Sequence, residues 1–266
     1  MSNAARRTIP VLLALVAAIT AVASGAPSPA LERTREAEPA DLVRRPQPTG
    51  FPIPSEARAG TILMARDRHL LVLVERAMRV TSRPGDGRVV GMVPARSPYY
   101  GIATRAWVLR VSRDGRFGSV PVPYAGEAVT GWLRLRGLRM STTRISVHAD
   151  LSEHRLSIRR GDRVIFGAPA ATGAASTPTP LGRYVVSDRV PFSAGSIYGT
   201  FAFGLSGIQT HLPAGWTGGN QLAIHGTNDP SSIGRSASSG CLRVSERVLD
   251  RLRPLLRLGT PVIVRR

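Results

Sequence analysis

The chain has 266 residues, 42% of them hydrophobic and 20% charged, so it can bury a core and wholesale disorder is excluded. Its formal charge is +19, and all 36 basic residues are arginine. Such a balance suits nucleic acid, an anionic membrane surface or an acidic polymer, and the N-terminus helps to choose between them.

Arg6 and Arg7 precede an apolar run from Ile9 to Val22, broken by Pro10 and Thr20, and Ala21-Val-Ala23 then gives a small-x-small pattern. These are the parts of a secretory signal peptide, expected over residues 1–23. The run is short for a membrane span, which takes about 20 residues, so an uncleaved N-terminal anchor is the lesser alternative. Export to a periplasm or cell wall makes nucleic acid a poor partner and an anionic envelope a good one. Residues 24–59 carry Pro27, Pro29, Pro39, Pro46, Pro48, Pro52 and Pro54 without apolar periodicity, and read as an extended spacer.

From residue 60 to 138 the pattern is of short strands and turns. Strands are expected at Leu70–Val74, Val89–Val93, Ala106–Val111, Phe117–Val122 and Gly131–Leu135, with turns at Arg83–Gly87 and Ser112–Gly115. About five such strands suit a small barrel or sandwich. Trp107, Trp132, Tyr99 and Tyr100 are core or groove aromatics, and core is the default.

A second β region opens at Ile145, where Ile145, Val147 and Ala149 alternate with polar residues. Leu156 and Ile158, a turn at Arg160–Asp162 and then Val164–Phe166 continue it as a hairpin. His148 and His154 have polar neighbours and read as solvated. Thr177-Pro-Thr-Pro-Leu-Gly182 is a rigid loop, and Tyr184–Val186 a strand. The Gly- and Ser-rich run Ser193–Gly207 and the run Leu212–Asn220 read as long excursions of binding-loop type. Leu222–His225 is a strand whose alternation puts Gln221, Ala223 and His225 on one face. Ser245 is a good N-cap, followed by a helical stripe of Val248, Leu249, Leu252, Leu255 and Leu256 that Pro254 limits or kinks and Gly259 ends. Thr260–Val264 is a closing strand. Strands dominate, with one helix.

The chemistry gathers between His225 and Cys241, the only cysteine, in a loop rich in Gly, Ser, Asn and Pro. A single cysteine in an exported protein has no internal disulfide partner, so its thiol needs another use. A thiol with an ordinary pKa near 8.5 needs a base or a positive field to become a nucleophile. His225 can supply the base and Arg243 the field. Gly240 permits a tight turn, and its N–H, that of Cys241, or the Ser238 and Ser239 hydroxyls could face a developing oxyanion. Gly226 supports the histidine side. Arg243 could also pair with a substrate carboxylate. Three other readings stay open: His225, His211 and Cys241 as metal ligands, an inert Cys241, and a serine nucleophile in 236–239, which lacks a Gly-x-Ser-x-Gly elbow.

The residues His225-Gly-Thr-Asn228, Pro230, Ser232-Ile-Gly234 and Ser238-Ser-Gly-Cys-Leu-Arg243 closely resemble the signature of the YkuD-type L,D-transpeptidases, over about residues 145–265. The resemblance implies a β-sandwich-like catalytic domain with one helix toward its C-terminal side. It implies Cys241 as the acylated nucleophile and His225 as the base. It also implies peptidoglycan stem peptides as donor and acceptor, carbapenems as covalent inhibitors, and no cofactor or metal. A cross-link, L,D-carboxypeptidase action on water and anchoring of a protein lysine would share this site, as would a non-catalytic wall-binding protein that keeps the fold. Ser239 stands where the family often has histidine. In the N-terminal β module, Val93-Pro-Ala-Arg96, Ala106-Trp-Val-Leu109, Asp114-Gly-Arg116 and Gly131-Trp-Leu133 resemble bacterial SH3-like modules of wall proteins, which implies wall binding.

Overall fold

The computed structural model describes residues 67–126 and 128–266. The expected signal peptide, the spacer and the first residues of the 60–138 module lie outside the described residues.

Among the described residues, eight strands precede position 144: β1 (His69–Val74), β2 (Met78–Thr81), β3 (Val89–Val93), β4 (Thr104–Val108), β5 (Arg110–Val111), β6 (Phe117–Pro121), β7 (Thr130–Arg134) and β8 (Arg139–Thr143). They form a three-stranded sheet, β4-β1-β8, and a five-stranded sheet, β3-β2-β7-β6-β5. The single strand expected over Ala106–Val111 is split at Leu109, because the chain there leaves one sheet for the other: β4 pairs with β1 and β5 with β6. The two sheets enclose a core that includes Leu70, Val72, Val80, Val93, Val120 and Leu133. Trp107 is buried with Leu71 against Val185 of the following β region, so it serves as core. Trp132 is half-buried under the Arg110 guanidinium, 5.1 Å from the ring centroid.

The second region contains β9 (Ile145–Asp150), β10 (Arg155–Arg160), β11 (Arg163–Pro169), β12 (Thr172–Gly173), β13 (Gly182–Pro191), β14 (Phe201–Ile208), β15 (Gln221–His225), β16 (Ser236–Ser238), β17 (Leu242–Arg243), the helix α1 (Glu246–Leu252) and β18 (Pro261–Arg265). One sheet runs β11-β10-β9-β18-β13-β14-β15-β17. Its neighbours are antiparallel except at β9–β18 and β15–β17. The short strands β12 and β16 pair in parallel beside it. Val147, Leu156, Phe203, Leu222 and Ile224 pack with Leu249 and Leu252 of α1 in one buried cluster. Burying each such side chain contributes about 1.5–3 kcal/mol, which is what seats α1 on the sheet.

Three expectations need correction. The run Ser193–Gly207 is an excursion only in its first half, for β14 occupies Phe201–Ile208 in the middle of the sheet with seven of its eight residues buried. A strand covered on both faces has no apolar–polar alternation to reveal it. Its glycines are there because neighbours come close: a Cβ on Gly207 would overlap the Tyr184 ring, and one on Gly204 the Gln221 amide. His148 and His154 are half-buried rather than solvated. His148 bonds Ser146 at 3.2 Å, and His154 bonds Thr172 at 3.1 Å. The helix is shorter than expected, for Leu255, Leu256 and Gly259 lie beyond its end. Ser245 caps it through the Val248 amide, and it ends at Leu252, ahead of Pro254. A proline there can give no N–H to a further turn.

Candidate active site

The β15–β17 pairing brings the sequence candidates together. Ile224 lies opposite Leu242 and His225 opposite Arg243. Cys241 is the residue just before β17, alongside Ala223 and two residues from His225 along β15. The offset along the strand, from Ala223 to His225, is about 6.6 Å at strand rise. Leu222, Ile224 and Leu242 point into the core. Alternation then turns Ala223 and His225 to the other face.

Gly240 makes the turn into Cys241 with φ +114°, a conformation that side chains disfavour. Ser238 Oγ ties this turn, accepting the Gly240 N–H at 3.0 Å and donating to the Cys241 carbonyl at 2.6 Å. The Thr177 hydroxyl and the Ala174 amide both donate to the Ser238 carbonyl, at 3.0 and 2.8 Å. Gln209, itself buried, donates through Nε2 to the carbonyls of Ser239, Pro178 and Thr177 at 3.2, 3.0 and 3.2 Å. The rigid Thr177-Pro-Thr-Pro loop is therefore the buttress of the cysteine turn. This narrows the expected oxyanion donors: the Gly240 N–H and the Ser238 hydroxyl are spent on holding the loop. Of Ser239 it is the backbone carbonyl that Gln209 engages. The Gly226 N–H likewise has a partner, the Phe201 carbonyl at 3.3 Å.

His225 is buried, and its Nδ1 lies 2.5 Å from the Gly226 carbonyl oxygen. A carbonyl can only accept, so Nδ1 carries the proton and Nε2 keeps the lone pair. Tyr198 meets the imidazole edge-on at 5.1 Å between centroids. Gly226 is glycine because a Cβ would overlap the Glu246 carboxylate and the Gly199 backbone. That carboxylate accepts the Thr200 amide at 3.2 Å and its hydroxyl at 2.6 Å, which ties the start of α1 to the residue before β14.

Burial pushes the His225 pKa down to about 4; the Gly226 hydrogen bond raises it in part, and the Arg243 charge lowers it. Burial pushes the Cys241 thiol up, offset in part by the Ala223 N–H and by Arg243. The resting pair is thus a neutral thiol and a neutral imidazole. The thiol donates to the Gln221 carbonyl at 3.8 Å. Cys241 and Arg243 are both half-buried, and the Arg243 Nε is buried without a hydrogen bond. Among the described residues, no three His, Cys, Asp or Glu side chains gather as metal ligands. His211 Nδ1 bonds Thr210 Oγ1 instead, at 3.1 Å.

The histidine shift gives a stability prediction. The folded pKa lies below the unfolded value of 6.5, so between pH 6.5 and 4 the unfolded chain binds more protons. The stabilisation is complete above pH 6.5 and is lost as pH falls toward 4, on the order of 3 kcal/mol from His225. His148, also lowered to about 4 by burial and then by Arg159, adds in the same direction. Urea midpoints should fall from pH 7 to pH 5, and less so in His225→Asn; equal slopes in the two proteins would contradict the assignment.

Sequence reasoning did not single out Gln209 or Tyr198, and it placed Gln221 and Ala223 on the His225 face without giving either a part in the site. The isolated glutamine between two Gly-rich runs was the one available signal for Gln209.

Fold and site together define a mainly β protein with a thiol and a neutral imidazole on adjacent strands, the thiol set on a buttressed glycine turn. The profile of the YkuD L,D-transpeptidase catalytic domain matches residues 144–264. The chain is 31% identical over 159 residues to the protein named L,D-transpeptidase YkuD of Bacillus licheniformis, covering 58% of this chain and 87% of that one. It is 31% identical over 111 residues to its Bacillus subtilis namesake, covering 42% and 60%. A crystallised mutant of the Enterococcus faecium L,D-transpeptidase is similar at 20% identity and TM-score 0.36, over 46% of this chain and 49% of that one, so the match spans about half its length. The chain belongs to the YkuD L,D-transpeptidase family, and residues 144–264 are its catalytic domain.

Proposed function

We propose that the protein is an exported, cysteine-dependent L,D-transpeptidase of peptidoglycan stem peptides, working through a thioester acyl-enzyme. One observation carries the reading: Cys241 leaves the Gly240 turn beside β15, where His225 is held as a neutral base with Nε2 unprotonated. The family and the leader-like N-terminus support it.

In the first half-reaction, Cys241 Sγ attacks the carbonyl at the L-centre of the diamino acid that precedes the terminal D-Ala. The thiol proton passes to His225 Nε2 and on to the departing D-Ala amine as the C–N bond breaks. The thioester remains. In the second half, an acceptor amine attacks, His225 takes its proton, the C–S bond breaks and the sulfur is reprotonated. A neutral pair suits this sequence, because charge develops only when substrate arrives. The Cys241 N–H and the Ser239 hydroxyl are the oxyanion donors left from those considered. Arg243 favours thiolate and offers its guanidinium to a donor carboxylate. The N-terminal β unit, from its SH3-like pattern and basic surface, is assigned to holding wall material.

The test is mass analysis after incubation with a tetrapeptide donor and a stem-peptide amine acceptor. Release of D-Ala together with a cross-linked dimer is expected. D-Ala without dimer would make the protein an L,D-carboxypeptidase, and neither product would leave it a wall-binding protein without turnover.

A further inference from the structure

Asp188, on β13, is wholly buried. In a chain with 36 arginines it has no ion pair among the described residues. Its Oδ2 instead accepts three hydrogen bonds: from Ser97 Oγ at 2.9 Å, Ser187 Oγ at 2.8 Å and Gln221 Nε2 at 2.6 Å. Oδ1 has no partner. A buried carboxylate that is not neutralised is costly to keep, so its use as an acceptor hub calls for a role.

The three donors come from different places. Ser97 belongs to the N-terminal β unit, in the turn Ser97–Gly101 that closes on itself through the Gly101 N–H and the Ser97 carbonyl at 3.0 Å. Gln221 opens β15, and its carbonyl oxygen is the partner of Cys241 Sγ. The same turn grips β15 a second time, for the Tyr99 hydroxyl donates to Asn220 Oδ1 at 2.6 Å. Tyr124, held with φ +58°, packs edge-on against Tyr99 at 5.7 Å and donates its amide to the Ser206 carbonyl of β14 at 2.8 Å. Next in the turn, Tyr100 is close enough to Tyr198 for that phenol to disfavour its ionisation, after burial and Asp188. Tyr198 is the ring against His225.

We propose that Asp188 and the Ser97–Gly101 turn form a latch through which the N-terminal β unit holds Gln221 against the Cys241 thiol. Ser97, Asp188 and Gln221 are thus positioning residues for the reaction. The proposal rests on the reading of Cys241 as nucleophile. The side-chain amide of Gln221 is fixed by Asp188, Ser187 Oγ (3.1 Å) and the Leu205 carbonyl (3.1 Å), so its backbone oxygen is fixed as well. Removing the Ser97 hydroxyl takes one of the three donors from Asp188 Oδ2 and loosens the hub that aims Gln221, where β15 meets the sulfur. Small displacements of a nucleophile are expensive, with about 1 Å costing on the order of a hundredfold in rate.

The experiment compares the full chain with Ser97→Ala, Ser97→Thr, Asp188→Asn and Val72→Ala. The last variant weakens the N-terminal core away from the latch. Three quantities are read well below the thermal midpoints: the rate of Cys241 alkylation by iodoacetamide, and kcat and KM with a tetrapeptide donor. For Ser97→Ala, alkylation should rise about fivefold as the thiol loses its carbonyl partner, and kcat should fall about fivefold with KM unchanged. Ser97→Thr keeps the hydroxyl and should restore both. Asp188→Asn, which offers the three donors a neutral amide oxygen in place of a carboxylate, should bond them more weakly and shift alkylation and kcat in the same direction as Ser97→Ala. Val72→Ala should lower the thermal midpoint without altering either rate. If Ser97→Ala matches the parent in alkylation, or if Val72→Ala reproduces its effects, the latch is overturned. Altered alkylation with no turnover by any protein would uphold the latch and sink the proposed reaction.

Discussion

Cys241→Ala is expected to abolish covalent adduct formation and turnover while leaving the fold intact. The side chain is half-buried and makes one long hydrogen bond, to Gln221, so its loss removes little packing. It removes the only sulfur nucleophile of the chain. Intact-mass spectrometry after exposure to a carbapenem should show an adduct on the parent and none on the variant. An adduct of equal size on Cys241→Ala would place the acylation elsewhere and remove the mechanism. His225→Ala is the companion: adduct formation should slow by about a hundredfold or more, from loss of the base. The resting thiol is protonated and, with its pKa raised by burial, does not ionise by itself near neutrality. Unchanged acylation kinetics in that variant would take His225 out of the reaction.

Gly240→Ala should be nearly as damaging to activity and should also lower stability. Two costs combine. A side chain at φ +114° is strained by about 1–3 kcal/mol, and the new Cβ would overlap the Gln209 amide nitrogen. That amide cannot swing aside without giving up its bonds to Ser239, Pro178 and Thr177. Each such bond contributes about 1 kcal/mol. The turn must therefore move, and Cys241 moves with it. Gly234→Ala is the control. It shares the strain, with φ +81°, but its Cβ would meet open space. Turnover should fall by about a hundredfold in Gly240→Ala and by no more than a few-fold in Gly234→Ala. Equal losses would mean that backbone strain alone matters and that the Gln209 buttress does not.

Much of the site was legible from local chemistry. A solitary cysteine after glycine, a histidine closing an alternating strand and an arginine two residues past the thiol are features of residue type and spacing. The β15 alternation could be read because one face is packed and the other carries the chemistry. The Ser245 cap was readable because it is a contact within one helical turn. Elements that answer to distant partners were not. β14 looked like loop because glycine and serine were selected by the nearness of Tyr184 and Gln221, not by turn geometry. β2 and β8 are short and half-exposed, with too few apolar positions to set a period.

The chain alone supplied the candidate groups: one thiol, one histidine at the end of an alternating strand, and a glycine at the turn between loop and strand. These are properties of side chains and of local backbone, and they do not depend on where the rest of the protein lies. Tertiary structure alone decided the atoms. It turned Nδ1 to the Gly226 carbonyl and left the lone pair on Nε2. It spent the Gly240 and Ser238 donors on the loop and placed Gln209 beneath it. It also carried Ser97 of the N-terminal β unit to Asp188, across 91 positions of sequence. Burial, hydrogen-bond partners and pKa are set by which segments the sheet brings side by side, and strand order is a long-range choice that no local pattern encodes.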